Sequence, residues 1–282
     1  LIADSRPNPQ KRNILIQRLG RAPWWLLIAA LLIVGFFLAV SEDRIYQNLI
    51  PLVVNSVWTT IWVTVVAYAL SLVLGLMIAL LRLSKNVIVY QSVTLYVEIV
   101  RGIPTLVLVY WVVLAFVPLL IDLINQFGIN LLGESGFTPL RARDVNGELR
   151  AIIALAISYS AFLSEVFRAG IESVGVGQRE AGLSLGMTEG QVMRRIILPQ
   201  AIRNILPPLA NDFIAMLKES SLVSIVGVND ITRAGSTYAY ATFTFFQSYN
   251  VVAITYLILT LSLSMGVKAL EWWMSRGKGR DS

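Results

Sequence analysis

Glu98 and Arg101 stand three residues apart inside an otherwise apolar run, and Gly102, Pro104 and Thr105 follow at once. At that spacing a carboxylate and a guanidinium can pair on one helix face. The proline breaks the helix locally, so freed backbone groups must find neighbours or line a cavity. The same acid–base spacing recurs at Glu165 and Arg168, with Ser160 one turn earlier, and a third apolar run holds Asp212, Lys218, Glu219 and Ser220. Ionisable groups inside membrane-length apolar sequence are costly and mark functional sites by default. The chemistry they suit is binding. A zwitterion needs an acceptor for its ammonium and a donor for its carboxylate, and these runs supply both signs. The plainer alternative at each place is a self-satisfied ion pair, Glu98 with Arg101 and Glu165 with Arg168. Lys218 and Glu219 project about 100° apart on a helix and would pair with other helices rather than with each other.

Bond-making chemistry is poorly supported. The 282 residues contain no cysteine and no histidine, which removes thiol nucleophiles, disulfides, Cys or His metal ligands and Ser-His-Asp triads. No catalytic residue and no metal site is expected.

The elements that must position these groups are membrane spans. Hydrophobic residues make up 56% of the chain and charged residues 14%, against about 25% charged in soluble domains. Six segments are apolar and long enough to be candidates for spans: Trp24–Val40, Pro51–Leu81, Val93–Leu120, Ala151–Phe167, Pro208–Val228 and Val251–Trp273. The expected fold is an all-α polytopic membrane protein. The long basic leader before Trp24, without a small-residue cleavage site, argues against a secretory signal.

Lys and Arg set the orientation. With the N-terminus inside, sixteen of the 23 basic residues, among them Arg6, Lys11, Arg82, Lys85, Arg194, Arg195, Lys278 and Arg280, fall in inner segments. Five fall in outer ones: Arg44, Arg141, Arg143, Arg150 and Arg233. The bias places both termini in the cytoplasm. The net charge of +6 therefore reads as topology, and no nucleic-acid partner is expected. The outer loops are then 121–150 and 229–250, the second carrying the aromatic run STYAYATFTFFQSY suited to a membrane interface or an external partner.

One inner segment is too polar for a span and too patterned for a loop. Residues 180–201 read EAGLSLGMTEGQVMRRIILPQA. Gly186 suits a left-handed helix end. Thr188 and Gln191 have the spacing of a capping box, flanked by Met187 and Val192. Pro199 is expected to end or redirect the second helix. A helix, tight turn and helix along the membrane surface result. Such a unit either pins the loop in the headgroups or is presented to a groove on a cytoplasmic partner.

The spacing of Glu180, Ala181, Gly186, Ile196, Leu198 and Pro199 resembles the EAA loop of ABC importer permeases, with Gly182 where the third residue is usually alanine. The stretches YVEIVRGIPTLVLVYW, SAFLSEVFRAGIESVGVGQREAGLSLG and LPQAIRNILPPLANDFIAMLKESSLVSIVGV are similar to the polar amino-acid branch of that family. The resemblance runs from about Asn55 to Trp273. It implies a type I importer core of five helices over 51–282, with residues 1–50 adding a cytoplasmic segment and one helix, about six spans in all. It implies that 178–199 is a coupling loop, Glu180, Ala181, Gly182, Leu185, Gly186, Met187 and Thr188 meeting an ATPase. It implies a transport path near Glu98, Arg101, Gly102, Pro104, Thr105, Ser160, Glu165, Asp212, Lys218, Glu219 and Ser220.

The pattern G-x-x-x-x-G-K-[ST] is absent, and GKGR near the C-terminus lacks the Ser or Thr. ATP and Mg are therefore expected on partner ATP-binding cassette subunits, with no cofactor on this chain. The further partners implied are a second permease subunit, identical or paralogous, a solute-binding protein, an amino-acid substrate and the lipid of a bacterial inner membrane. The alternative reading is an ion-coupled secondary transporter or channel with an ion site among Glu98, Glu165 and Asp212. A membrane scaffold would leave the charges unexplained.

Overall fold

The computed structural model describes residues 24–40, 43–133, 136–141 and 144–276. The basic leader with Arg6 and Lys11, and also Arg143, Lys278 and Arg280, lie outside the described residues. Two compact units divide the chain, residues 1–48 and 49–282. All the regular elements described are helical: α1 (Trp24–Val40), α2 (Arg44–Leu81), α3 (Val87–Gly102), α4 (Thr105–Trp111), α5 (Val117–Leu132), α6 (Gly147–Glu172), α7 (Val176–Ser184), α8 (Glu189–Val192), α9 (Leu198–Glu219), α10 (Ile231–Thr242) and α11 (Phe245–Arg276). Four helices are long and apolar enough to cross a membrane among the described residues: α2, the run Thr105–Leu132, α6 and α11. The protein is a multi-pass membrane protein.

Several expected boundaries move. The third span starts earlier than expected, at Val87, and divides at the expected proline break, where Ile103 before Pro104 is held extended (ψ 133°). The outer loop expected from residue 121 starts only after Leu132, at Gly133 with φ +75°. Residues 229–250 hold α10 rather than an open loop, since Asp230 caps a helix there. The fifth span divides between α9 and a 3₁₀ segment, Ser220–Val226.

Pro199 opens a helix instead of ending one. α8 runs without interruption through a π turn, Met193–Ile197, into α9, with Pro199 in the first turn of α9. The Leu198 amide donates back five residues to Met193, which widens the turn just ahead of the proline ring. Pro118 repeats the device behind a second π turn, Val112–Phe116, where Val117 donates to Val112. A regular turn would clash at the carbonyl four residues before each proline.

α6 is the central helix of the second unit. Leu155, Tyr159 and Leu163 pack with Val63, Ala67 and Tyr68 of α2 and Met216 of α9. Ala154 and Ala161 pack with Val97 and Val100 of α3 and Leu108 and Val109 of α4. Its small residues matter because apolar contact alone does not drive helices together in lipid, whereas close backbone approach does. Gly170 is one such place: a Cβ there would lie 2.0 Å from Ile205 Cγ1 of α9. α2 carries buried hydroxyls, and its own backbone satisfies them. Thr60 donates to Ser56, Thr64 to Thr60 and Ser71 to Ala67, each to the carbonyl four residues back.

Candidate functional site

Glu165 sits where α2, α3 and α6 converge. Its carboxylate accepts from Arg82, just past the end of α2, and from Arg168 on its own helix at 2.7 Å. Arg101, next to last in α3, stands 3.9 Å away with its guanidinium over the Phe162 ring. Arg168 also holds Glu172 at 2.6 Å. The expected pair of Glu165 with Arg168 is present but is one part of a larger cluster. The expected pair of Glu98 with Arg101 does not form among the described residues: Glu98 is exposed, and Arg101 turns to Glu165. Arg82 counts in the sequence only as an inner-loop charge. Its position four residues beyond Ile78, on the same helical stripe, is the signal that could have found it.

A second polar group lies between α2, α6 and α9. Tyr159 is buried, and the carboxylates of Glu219 and Asp212 act on it electrostatically, as Asp212 does on Tyr68. The Tyr68 hydroxyl donates to the Leu209 carbonyl at 2.5 Å and its ring meets Phe213 edge-on. Asp212 and Glu219 are seven residues apart on α9 and so share a face. Lys218 is exposed and points elsewhere, and Ser220 is buried with its hydroxyl spent on Leu217. Ser160 links the first group to α3: its hydroxyl meets the Tyr96 hydroxyl at 2.8 Å and donates to Ile157. Gly102, Pro104 and Thr105 form the break between α3 and α4, without a side-chain hydrogen bond at the cap. The second group offers carboxylates and hydroxyls and the Glu165 cluster offers guanidiniums, the two signs that a small zwitterion needs.

Asp230 is fully buried at the start of α10. It accepts from the Arg233 amide at 2.9 Å and from the Tyr256 hydroxyl of α11 at 3.2 Å. Burial pushes its carboxyl above the usual range, and those hydrogen bonds offset only part of the rise.

The segment 176–192 folds as its sequence expects. Gly186 adopts φ +79° after α7. The capping box is complete: Gln191 N–H donates to the Thr188 hydroxyl at 3.3 Å, and Thr188 N–H to the Gln191 side chain at 2.9 Å. Arg179 and Glu189 pair across the turn at 2.5 Å, a tie between α7 and α8 not anticipated from the sequence. Glu180, Ala181 and Thr188 are exposed, Met187 is partly so, and Leu185 presents 82% of its surface. Gly182 is buried, and a Cβ there would lie 2.9 Å from both Ile196 and Val192.

Residues 71–276 match the family described as binding-protein-dependent transport system inner membrane component. The chain belongs to that family. This permease is 38% identical over 200 residues to the probable amino-acid permease protein YxeN of Bacillus subtilis, covering 71% of this chain and 81% of that one. It is 33% identical over 192 residues to the arginine ABC transporter permease protein ArtQ of Escherichia coli, covering 66% and 79%. Its fold superposes on a crystal structure of an amino acid ABC transporter with histidines, TM-score 0.67 at 34% identity, over 83% of this permease and 97% of that chain. The family match decides for the importer over the ion-coupled alternative.

Proposed function

We infer that this permease is the membrane-spanning subunit of an ATP-driven importer for amino acids. The observation that carries the reading is the tight helix–turn–helix of 176–192, continuous with α9, in a chain matched to the family over 71–276. The permease relatives named for amino acids support the substrate class. In this reading Glu180, Ala181, Gly182, Leu185, Gly186, Met187 and Thr188 dock on a separate ATPase subunit, which holds ATP and Mg. Both termini are cytoplasmic, as the basic bias supports. A solute-binding protein delivers the amino acid outside, and a second permease subunit closes the path. The substrate passes Glu98, Arg101, Gly102, Pro104, Thr105, Ser160, Glu165, Asp212, Lys218, Glu219 and Ser220. Closure of the ATPase pair draws the docking turns together, and the permeases swing from inward- to outward-facing.

Co-expression with a candidate ATPase from the same genome tests this. The parent chain should retain the ATPase in detergent and, in vesicles that also hold its second permease subunit and are given the solute-binding protein, take up labelled amino acids with ATP. Gly186→Val should lose both, because a β-branched residue is strained at positive φ. A folded, monodisperse parent that holds no ATPase and moves no amino acid overturns the reading.

A further inference from the structure

An open groove of about 780 Å³ runs between α2, α3, α4 and α6. Leu74, Ile78, Ile99, Ile103, Val107 and Trp111 line it, and Ile99, Val107 and Trp111 are exposed along it. Its lining is almost wholly apolar, with hydroxyls only at Tyr96, Ser92 and Ser160, so a polar substrate would find few partners there.

The groove leads to the arginine cluster. On α2, Leu74 and Ile78 continue at four-residue spacing to Arg82, and on α6, Ile157 continues at eight to Glu165. Three guanidiniums, Arg82, Arg101 and Arg168, face two carboxylates, Glu165 and Glu172, so one positive charge is in excess. Two further observations favour an anion here. Arg82, whose side chain is only 9% exposed, has a buried Nε with no hydrogen-bond partner. Arg101 is held only loosely, at 3.9 Å, with 41% of its side chain exposed.

We propose that cluster and groove form one binding site for an anionic phospholipid. The phosphate sits against Arg101 and Arg82, and an acyl chain lies in the groove. A phosphate accepts several charge-assisted hydrogen bonds at once, and a net negative headgroup cancels the excess charge, which a zwitterionic headgroup does not. The acyl chain covers apolar surface exposed on this chain at Ile99, Val107 and Trp111. The site requires only the folded chain, and it assigns Arg101 and Ser160 to lipid where the proposed function places them beside the substrate.

The test is lipid retention by the full-length chain, delipidated in mild detergent and offered equal amounts of phosphatidylglycerol and phosphatidylethanolamine, with bound lipid counted by native mass spectrometry. The expected result is a clear excess of phosphatidylglycerol. Arg101→Gln should lower that excess about tenfold, the low end of what one lost charge-assisted contact is worth. Val107→Trp should fill the groove and lower both lipids, while Leu95→Trp, on an exposed position of α3 outside the groove, should leave them unchanged. Equal retention of the two lipids in the parent overturns the proposal. So does displacement of phosphatidylglycerol by an excess of mixed amino acids, which would assign the arginines to a substrate carboxylate. So does a Val107→Trp chain that changes oligomeric state at unchanged lipid content, which would assign the groove to a second copy.

Discussion

Gly75 of α2 and Leu163 of α6 approach so closely that a Cβ added to Gly75 would lie 2.9 Å from the Leu163 Cβ. The same added atom would meet the Ser160 carbonyl at 3.1 Å and the Ser164 amide at 3.2 Å. Backbone cannot rotate aside, so Gly75→Ala must separate the helices. The expected cost is about 1–3 kcal/mol, the usual range for overpacking, read as a lower midpoint in a thermal-shift assay in detergent. Leu163→Ala in the same chain should restore none of the loss, because alanine keeps the Cβ that is met and the other two contacts are backbone.

Gly182 makes a softer contact. The atoms its Cβ would meet are the ends of the Ile196 and Val192 side chains, and Ile196 can rotate. Gly182→Ala should therefore be tolerated, with ATPase retention near that of the parent. Gly182→Leu cannot fit between α7 and the π turn and should release the ATPase while the spans stay folded by circular dichroism.

Removing the Glu165 charge leaves Arg82 buried beside Arg168 and Arg101 with no carboxylate between them. Stranding a largely buried charge costs about 3 kcal/mol or more. Glu165→Gln should lower the thermal midpoint sharply, and Arg82→Gln added to it should recover much of that loss. If the double variant is no more stable than the single one, the two residues are not coupled.

Asp230 supplies a prediction of pH dependence. Its folded carboxyl is raised, so the folded state binds that proton more readily than the unfolded state, and its contribution to stability grows as pH falls from neutral. Asp230→Asn keeps an oxygen for the Arg233 amide, and should remove that pH dependence without loss at neutral pH. Asp230→Ala also removes the helix cap, at about 1 kcal/mol. Thermal midpoints at pH 5.5 and 7.5 separate the three chains.

Local chemistry was legible wherever a short pattern has a single physical solution. Gly186, Thr188 with Gln191, and the break at Pro104 all fold as their residue types require, because each is decided within a few residues. The residues missed were those whose partners lie far away in sequence. Arg82 joins Glu165 across 83 positions, and Tyr68 reaches Leu209 across 141. The one local clue to Arg82, its place four residues beyond Ile78, does not name Glu165 as the partner. Pro199 misled for a different reason. The rule that proline ends a helix assumes a regular preceding turn, and the π turn at Met193–Ile197 removes that assumption.

That π turn has a mechanical consequence. Because it keeps the helix unbroken from Glu189 to Glu219, the turn at Gly186 and the polar pair Asp212 and Glu219 are joined by one beam of roughly 45 Å at 1.5 Å per residue, its hydrogen-bond ladder interrupted at Pro207 and Pro208. Tilting the beam at its Thr188 end displaces Glu219 at the other end, with the fulcrum where Ile205 presses on Gly170. α7 is excluded from the beam by the left-handed turn at Gly186, and the Arg179–Glu189 pair tethers it like a guy rope rather than a weld.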